Sequence, residues 1–532
     1  MSEIELKYFV DPARAGSVDA AMRRMPSHLV SIESHCFDTE DSRLADARLS
    51  LRLRKTAGKW EQTLKGPGAS AVERHEETVA LPGKWAAGRP LVDPSLHDAT
   101  AVGKVLRRVL GKAPSPLVEV HASFFRRRTV QVDLDNASVE VAFDRGTIRA
   151  GNRSATVCEV EYELKRGPAQ ALLPFAIAGI RAHGLWLCTI SKSERGHRLA
   201  MELGGPAVKA EPPRLERDMN GPALLGAVLQ ACLDQVWRNA SEIGTGRRDA
   251  ELVHQLRVGL RRTRVALREL GGPSGAADPA WQGPFITAFR ALGEFRDRQT
   301  VAAAIEPGLR AAGSPEPVLR PQDAPPPDPV DVVRSQAFQC ALLDAWALTL
   351  DNAARVGRAA GLDGTADFDR ESLDRPTSRG RIAPFGDAAA LRPTPQPVSD
   401  AVGAMRQVGS RLNKLHARLK RDAQAFERED EDAQHRVRKR LKRLRYLAEF
   451  VGPLHKKAAV KRYLARLRPA QDALGVHIDL IVGARMAREA ALHGDAEAWF
   501  NVGWLMAQVE RSGHRCRKAL HNAAGAVKFW AG

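Results

Sequence analysis

Apolar and polar residues alternate with a period of two through about the first 200 residues of the chain. Residues 49–54 alternate leucine with serine or arginine, and residues 139–144 alternate valine or phenylalanine with alanine or an acid. Because successive side chains of a strand point to opposite faces, such runs predict strands with one apolar and one polar face. Glycine and proline separate the runs, which indicates an antiparallel meander, and helical patterns interrupt it near 98–111 and 168–183.

From about residue 215 the pattern changes to helical spacing, in a sequence rich in alanine, leucine and arginine. The segments 315–331 and 361–398 are rich in proline, glycine and aspartate, and we interpret them as linkers or disordered loops. The predicted fold class is therefore multidomain α+β. It comprises an N-terminal β domain with flanking helices (1–205), a linker (206–218) and a C-terminal all-α domain (219–528).

The helical half contains an internal repeat. Residues 254–264 (HQLRVGLRRTR) and 435–445 (HRVRKRLKRLR) share histidine, leucine and three arginines when their histidines are aligned. Residues 291–297 (ALGEFRD) and 473–479 (ALGVHID) follow, and share alanine, leucine, glycine and the last aspartate. A basic motif followed by LG-x-x-x-D at a similar distance predicts a duplication. We place the first repeat at about 219–312, a proline-rich loop at 313–331 and the second repeat at about 400–528.

The composition limits the class of protein. A length of 532 residues predicts more than one domain, and 44% hydrophobic with 27% charged residues is ordinary for a globular protein. The formal net charge of +18 attracts polyanions such as nucleic acid, anionic lipid or phosphate chains. The six cysteines form no CxxC pair, so we expect neither a zinc site nor a disulfide framework. Without a signal-peptide pattern or an apolar run of about 20 residues, we expect a cytoplasmic protein with no membrane partner.

Nearly every predicted strand carries charges on its polar face. An open sheet with a solvated face explains any single strand, but the whole set favours a closed barrel whose charged faces line a lumen. Buried charges need a counter-charged guest. Clustered carboxylates select Mg²⁺ or Mn²⁺, whereas lysine and arginine suit phosphate oxygens. Metal together with phosphate predicts phosphoryl transfer or hydrolysis.

A series of short motifs runs in order through this half. They are EIELK at the start, then LRLR, QTLKG, RHE, SFFRR, FDRG, EVEYELKRG and SKSERG. The series resembles that of the CYTH superfamily, the triphosphate tunnel metalloenzymes, and EIELK resembles the family's ExExK signature. The resemblance covers about 200 residues and implies an eight-stranded antiparallel tunnel that binds a triphosphate with a divalent metal.

The resemblance also implies roles for individual residues. The expected metal ligands are Glu3, Glu5, Glu76, Asp144, Glu159 and Glu161. The residues expected to hold the phosphate chain are Lys7, Arg52, Arg54, Lys65, Arg74, Arg127 and Lys192. Glu3, Glu5, Lys7 and Glu161 are expected to be catalytic. Strand parity favours Arg127 over its neighbour, because Arg127 shares a face with Glu119 and His121. Glu163 is assigned to the tunnel rim, and Arg74 and Arg195 have the alternative role of pairing with a structural carboxylate.

The expected reaction is metal-dependent hydrolysis of inorganic triphosphate to pyrophosphate and phosphate. A carboxylate of the group Glu3, Glu5 and Glu161 would orient or deprotonate the attacking water. Related tunnels act on thiamine triphosphate, on ATP by cyclisation, or on RNA 5′-triphosphates. Because we find no aromatic or other motif suited to a base or a thiazole, inorganic triphosphate is favoured over these alternatives.

In the two basic motifs, positions at offsets of 0, 3, 7 and 10 lie on one helical face. These residues, here called the basic stripe, are His254, Arg257, Arg261 and Arg264 in the first copy and His435, Arg438, Lys442 and Arg445 in the second. A solvated basic face is the ordinary meaning of such a run. The repetition at the same register, with few acids interleaved, favours a polyanion partner instead.

This half resembles the CHAD domain, over about 215–310 and 400–525. CHAD domains are associated with binding of inorganic polyphosphate, so we expect a binding module rather than a second active site. Polyphosphate granules are then a further candidate location. The alternative from a different class is a non-catalytic protein that binds polyphosphate or nucleic acid. With 5% aromatic residues, single-strand stacking is not favoured, whereas duplex binding through phosphates stays open.

Overall fold

The chain folds into a β domain followed by a helical domain. The computed structural model describes residues 2–67, 73–83, 85, 88–111, 116–274, 282–315, 325–359 and 400–530. The strands are β1 (Ser2–Phe9), β2 (His28–Thr39), β3 (Ser50–Thr56), β4 (Lys59–Pro67), β5 (Glu73–Leu81), β6 (Leu117–Leu134), β7 (Ala137–Ala150), β8 (Arg153–Arg166) and β9 (Trp186–Leu187). The helices among them are α1 (Ala15–Arg23), α2 (Arg43–Asp46), α3 (Ala101–Leu110), α4 (Leu172–His183) and α5 (Lys192–Met201). The predicted helices near 98–111 and 168–183 are confirmed as α3 and α4, whereas α1, α2 and α5 were not predicted.

The strands form one antiparallel sheet in the order β5-β4-β3-β2-β6-β7-β8-β1-β9. The first residues of β1 also pair with β5, with Glu3 opposite Arg74, so β1 contacts both ends of the seven-strand run from β5 to β8. The predicted fold class is confirmed. The strand count is nine rather than eight, because the two-residue strand β9 pairs with the edge of β1 opposite β8.

The apolar face of the sheet points outward and is covered. Leu6 is 0% exposed and belongs to a core with Val160 of β8 and Ile180 of α4. The same core continues into the helical domain at Leu233 and Trp237. Full burial of a leucine side chain contributes about 1.5–3 kcal/mol, so this covering stabilises a sheet whose charges face inward. Leu6 therefore lies on the outer face of the sheet, beneath covering elements.

A bulge interrupts the strand parity between β2 and β6. Cys36 pairs with His121, but the next residue, Phe37, pairs with Glu119, which leaves Val120 unpaired. An extra residue in one strand reverses which face the following side chain takes. The prediction that Glu119 shares a face with Arg127 is therefore wrong. Glu119 instead binds the side chain of His35, whose cross-strand neighbours belong to the apolar side of the sheet.

The helical domain consists of nine helices in the residues described. They are α6 (Gly221–Gly244), α7 (Ala250–Ser274), α8 (Gln282–Ala311), α9 (Pro329–Arg334), α10 (Gln336–Ala359), α11 (Ala401–Ala425), α12 (Glu431–Val451), α13 (Lys457–Leu492) and α14 (Ala498–Ala524). The helix start signals are local: Asn220 caps α6 and Asp430 caps α12 through backbone N–H groups. None of the helices in the described ranges is long and apolar enough to cross a membrane.

The structure describes only part of the two segments that were predicted to be linkers or loops. Residues 316–324 of the proline-rich loop, and the interpreted linker at 361–398, lie outside the described residues. The end of the predicted loop, from Pro329, belongs to α9. The helix α10, which follows α9 after a single residue, was not predicted individually within the all-α domain.

The two copies of the repeated motif lie on α7 and α12, which pack against each other. Arg262 of α7 donates to Glu449 of α12 over 2.9 Å, and Arg443 of α12 donates to Glu269 of α7 over 2.5 Å. Arg262 and Arg443 occupy the same position of the repeat. The duplication is therefore held by two reciprocal ion pairs, each of which joins one copy to the other.

Candidate functional site

A charged cavity of about 370 Å³ lies within the β domain. The predicted site residues that line it are Glu5, Lys7, Arg52, Arg54, Lys65, Glu76, Arg127, Glu161 and Lys192. Strand alternation places them there, because their apolar neighbours along each strand occupy the outer core. Asp144 and Glu159 lie beneath the lining residues and are 0% exposed. The side chains of Glu3 and Arg74 lie outside the described residues, so their assigned roles stay predictions.

Three buried carboxylates form one cluster. Each of Asp144, Glu159 and Glu161 offers an oxygen atom, and these atoms lie within 4.8 Å of one another. We call these three residues the acid cluster. The ammonium of Lys192 lies 2.6 Å from Asp144 and 2.9 Å from Glu161, and it also bonds Glu159. Lys192, predicted to hold phosphate, therefore lies between the three carboxylates.

Arg127 also bonds the acid cluster. It donates to both carboxylate oxygens of Asp144 over 2.7 Å, and it donates to Glu161 as well. Such bidentate pairing fixes both side chains in one geometry. The predicted phosphate ligand Arg127 is thus paired with carboxylates, although its side chain borders the cavity. Arg195, whose role was left open in the sequence analysis, pairs with Glu159.

These contacts keep the buried groups charged. Burial opposes ionisation of Asp144 and Glu161, but Lys192 and Arg127 lower the pKa of both carboxyl groups below the ordinary values. Burial likewise opposes the charge of Lys192, yet the three carboxylates raise its pKa. Asp144, Glu161, Lys192 and Arg127 are therefore ionised at neutral pH.

The opposite wall of the cavity carries an excess of positive charge. Lys65 lies 2.5 Å and Arg52 lies 3.4 Å from the single carboxylate of Glu76. Arg54 is 3.8 Å from Glu61, which is too far for a hydrogen bond. The Nε atoms of Arg52 and Arg54 are buried, and neither has a hydrogen-bond partner among the described residues.

The pKa of Arg54 reports this crowding. Burial lowers its pKa to about 9, and the positive charges of Arg52 and Arg127 contribute further. A guanidinium this perturbed gains most from a nearby anion, because the anion would supply both charge and hydrogen-bond acceptors. This wall is suited to phosphate oxygens.

A further charged group lies along the cavity and was only partly predicted. Lys165 lies 2.6 Å from Glu163 and 3.5 Å from Glu140, and all three residues line the cavity. Burial raises the pKa of Glu163, as do the nearby carboxylates of Glu140 and Glu5. Glu163 and Lys165 continue the period-two series that begins at Glu159, so their positions were readable from strand parity.

The helix α5 brings Ser191, Lys192 and Ser193 to the cavity. Ser191 caps this helix by accepting a hydrogen bond from the N–H of Glu194 over 3.0 Å. The Ser-x-x-Glu spacing is the sequence pattern of a capping box, and it is the signal that our sequence analysis missed. The hydroxyl of Ser193 also accepts from Ser50 over 2.9 Å, which joins α5 to β3.

The basic stripe forms a second charged region, on α7 and α12. Arg257 and Arg261 both lie over the ring of Phe289 in α8, each 5.0 Å from its centroid. Burial and the charges of Lys439, Arg438, Lys442 and Arg261 lower the pKa of His435 to about 4. Arg261 of the first copy therefore influences a histidine of the second copy, so the structure brings the two halves of the stripe together.

The last residue of the stripe has different partners in the two copies. Burial and the neighbouring charges of Arg261, Arg290 and Arg268 lower the pKa of Arg264. Its counterpart Arg445 instead donates to Glu449 and to Gln471, each over 2.6 Å. Arg445 is thus compensated, and His435 is neutral near pH 7, which leaves fewer available cations than the sequence pattern indicated.

Comparison with known proteins identifies both domains. A CYTH domain model matches residues 1–196, and a CHAD domain model matches residues 227–488. The chain is therefore a CYTH domain joined to a CHAD domain, as the sequence motifs indicated.

The individual relatives share low sequence identity with this chain. The inorganic triphosphatase of Haemophilus influenzae is 25% identical over 206 residues, which are 37% of this chain and 55% of that protein. The chain thus matches about half the length of this relative. A CHAD domain from the plant Ricinus communis is 23% identical with a TM-score of 0.40, over 61% of this chain and 99% of that structure. A proposed adenylyl cyclase from Hippeastrum with a dominant triphosphatase activity is 17% identical with a TM-score of 0.25, over 35% of this chain and 89% of that structure.

Proposed function

We propose that the β domain hydrolyses inorganic triphosphate to pyrophosphate and phosphate with a divalent metal ion. The observation that carries this proposal is the cavity wall where Arg52 and Arg54 have buried Nε atoms without hydrogen-bond partners among the described residues. These groups face a cavity that also borders the acid cluster at Glu161. Anion-binding and cation-binding groups in one enclosed space suit a metal-bound phosphate chain. The triphosphatase activity of the Haemophilus influenzae relative points the same way.

The choice of inorganic triphosphate rests on the lining of the cavity. Among the described residues that line it, none is aromatic; apart from three serines, all of them are charged. A base or a thiazole ring would be expected to meet aromatic or apolar surface. Phosphate groups alone satisfy this lining, so thiamine triphosphate and nucleoside triphosphates are secondary candidates.

The donor groups fit Mg²⁺ or Mn²⁺. Three carboxylate oxygens within 4.8 Å of one another are the ligand type that hard divalent cations prefer. Asp144, Glu159 and Glu161 would hold the ion, with Glu5 on the same cavity, and Lys192 competes for the same oxygens. When bound, the metal supplies charge neutralisation and an acidified water. Release of Lys192 and Arg127 from the acid cluster would make both cations available to phosphate.

Different residues of the chain bind the phosphate oxygens and orient the attacking water. Arg52, Arg54 and Lys65 hold the phosphate oxygens by charge-assisted hydrogen bonds. Glu161, ionised and bordering the cavity, accepts a hydrogen bond from the attacking water and orients it toward the terminal phosphorus.

A substrate panel with one matched pair of variants tests this function. We expect release of phosphate from tripolyphosphate, faster than from ATP or thiamine triphosphate, and only with Mg²⁺ or Mn²⁺. We expect Arg54→Ala to lower kcat/KM about 100-fold or more. Arg126→Ala is the control, because Arg126 lies beside Arg127 on β6 but is exposed on the other face. Lack of turnover of any triphosphate by the unchanged protein would contradict the proposal.

We further propose that the helical domain binds inorganic polyphosphate at the basic stripe, and that the protein acts in the cytoplasm. The crowded cations Arg261 and Arg264 support a polyanion partner, and the six free cysteines suit a reducing compartment. Binding of long-chain polyphosphate and of duplex DNA should be measured side by side on the full chain. Tight binding of DNA without binding of polyphosphate would contradict this assignment and favour the nucleic-acid alternative.

A further inference from the structure

The segment from Trp186 to Met201 belongs to the β domain but is also held by side chains of the helical domain. It contains β9 and α5, and it carries Lys192 and Arg195 to the acid cluster. The contacts along this segment therefore decide how these two cations meet the buried carboxylates. The following contacts show that several of them come from side chains of α6, α9 and α10.

The strand β9 and the loop after it are fixed by two buried polar side chains. Ser241 of α6 donates to the carbonyl of Leu187 over 3.2 Å and accepts from the N–H of Thr189 over 3.0 Å. Gln339 of α10 accepts from the N–H of Leu187 over 2.9 Å. Ser241 is 0% exposed, and Gln339 is 2% exposed. These contacts define the backbone path that leads into α5.

The aromatic residue at the start of the segment is also held from the helical side. The guanidinium of Arg334, in α9, lies 4.1 Å from the ring centroid of Trp186. Gly244, at the end of α6, leaves room for the same ring, because a Cβ there would lie 2.9 Å from it. The segment is thus anchored at both residues of β9 and just after it, at Thr189.

The helix α5 itself is joined to α6 by an ion pair. Arg198 donates to Glu242 over 2.6 Å, and Glu242 is only 4% exposed. Arg247 lies 3.5 Å from the same carboxylate. Gly205 packs so closely that a Cβ there would lie 2.1 Å from Glu242. The Glu242 carboxylate is therefore closely packed and holds Arg198, which also bonds Glu194 within α5.

This ion pair lies a short distance from the acid cluster. Arg198 follows Lys192 by six residues on the same helix, which corresponds to about 9 Å along the helix axis. Arg195, between them, bonds Glu159 and lies over the ring of Phe9. A rotation or shift of α5 released at Arg198 would move Lys192 and Arg195 relative to the carboxylates.

We propose that Ser241 and Glu242 of the helical domain are positioning residues for the β-domain cavity, acting through β9 and α5. The helical domain is on this view part of the active-site framework and not only a separate binding module. The inference rests on the proposed triphosphatase function for its kinetic consequence. The competing explanation is that the packing of α5 on β6, β7 and β8 is sufficient to place the helix.

The test compares two matched substitutions in the full chain, Glu242→Gln and Glu269→Gln. The Glu242 and Glu269 side chains are 6% and 5% exposed, and each is ion-paired to an arginine. Glu269 pairs with Arg443 within the helical domain, so it reports the general cost of losing a buried charge. We expect Glu242→Gln to lower kcat for tripolyphosphate about tenfold or more, with a smaller change in KM. We expect Glu269→Gln to stay within about twofold of the unchanged protein, and Glu242→Asp to recover part of the loss.

A second readout does not depend on turnover. Hydrogen exchange of the peptides that cover residues 186–201 should become about tenfold faster in Glu242→Gln and in Ser241→Ala, but not in Glu269→Gln. If the unchanged protein hydrolyses no triphosphate, the proposed function fails while this readout still tests the positioning. Equal kcat values for Glu242→Gln and Glu269→Gln, or unchanged exchange of α5, would overturn the inference.

Discussion

The two cations at the acid cluster, Lys192 and Arg127, are paired with carboxylates, whereas Arg264 of the basic stripe lies among other arginines. Lys192 contacts three carboxylates, and its pKa is raised. Arg264 lies near three other arginines, and its pKa is lowered. The charges at the acid cluster are thus balanced before any ligand binds, while like charges surround Arg264 in the stripe. A balanced site can exchange partners in a specific geometry, and an unbalanced one attracts polyanions over a distance.

Of the substitutions considered, removal of Lys192 should have the largest effect, which we expect on the stability of the protein. Lys192→Ala leaves three buried carboxylates with less compensation, and we expect the free energy of unfolding to fall by about 3–5 kcal/mol in metal-free buffer. Mn²⁺ should restore part of this loss, because the ion would take the place of the ammonium. Urea unfolding with and without Mn²⁺ measures both effects.

The control for this substitution is Lys165→Ala, since Lys165 is 38% exposed and also contacts two carboxylates. Its expected cost is within about 1 kcal/mol. Equal stabilities of Lys192→Ala and the unchanged protein would contradict the view that Lys192 compensates the acid cluster.

Glu161, the member of the acid cluster that lines the cavity, should give the next largest effect. Glu161→Gln removes the charge that orients water and balances Arg127, and we expect kcat for tripolyphosphate to fall about 100-fold or more. Glu119→Gln is the matched control, because the bulge places this carboxylate with His35 and Arg89 outside the cavity. The assignment fails if the two variants lose activity to the same extent.

The basic stripe should respond to single substitutions more weakly. Arg261→Ala removes one charged phosphate partner, and we expect binding of long-chain polyphosphate to weaken by about 1.5 kcal/mol, or roughly tenfold. The affinity should also fall with ionic strength, since exposed charges are screened. Titration by calorimetry at two salt concentrations measures both trends. Arg248→Ala, at an arginine paired with Asp328, should bind as the unchanged protein does.

A pH effect at His435 should be the smallest. The pKa of this histidine is lowered to about 4, so between pH 4 and about 6.5 the unfolded chain binds a proton that the folded chain does not. The stability of the ligand-free protein therefore falls as the pH is lowered through this range. A bound polyanion offsets the charges of Arg261, Arg438, Lys439 and Lys442, which raises the pKa and couples binding to proton uptake.

Polyphosphate affinity should accordingly rise as the pH is lowered from 7 to 5, by roughly threefold. The same titration on His435→Gln should lose this dependence. An affinity that falls over this pH range, or a rise that persists in His435→Gln, would show that another group is responsible.

The sequence predicted the cavity lining well where strand parity is uninterrupted. Arg52, Arg54, Lys65 and Glu161 line the cavity because side chains alternate strictly along β3, β4 and β8. The prediction from strand parity was wrong at Glu119, because a bulge changes the register there and no local sequence pattern indicates the bulge. The position of Lys192 between three carboxylates was also out of reach, since it depends on how α5 packs against distant strands.

In the helical domain the repeat and the shared helical face were readable from the spacing of basic residues. The partners of those residues were not. Arg445 is compensated by Glu449 and Gln471, and the latter lies 26 residues further along the chain on α13. The contacts of Ser241 and Glu242 with the β domain likewise join residues that are distant in sequence. Such partners follow from tertiary packing and not from periodicity.

The central claim is that the cavity carries out hydrolysis while the basic stripe only binds. Phosphate release from tripolyphosphate, measured with and without Mn²⁺ on the unchanged protein, Glu161→Gln and Arg261→Ala, tests it most directly. We predict metal-dependent turnover that Glu161→Gln loses about 100-fold and Arg261→Ala retains within about twofold. No turnover by the unchanged protein, or an equal loss in both variants, would contradict the claim.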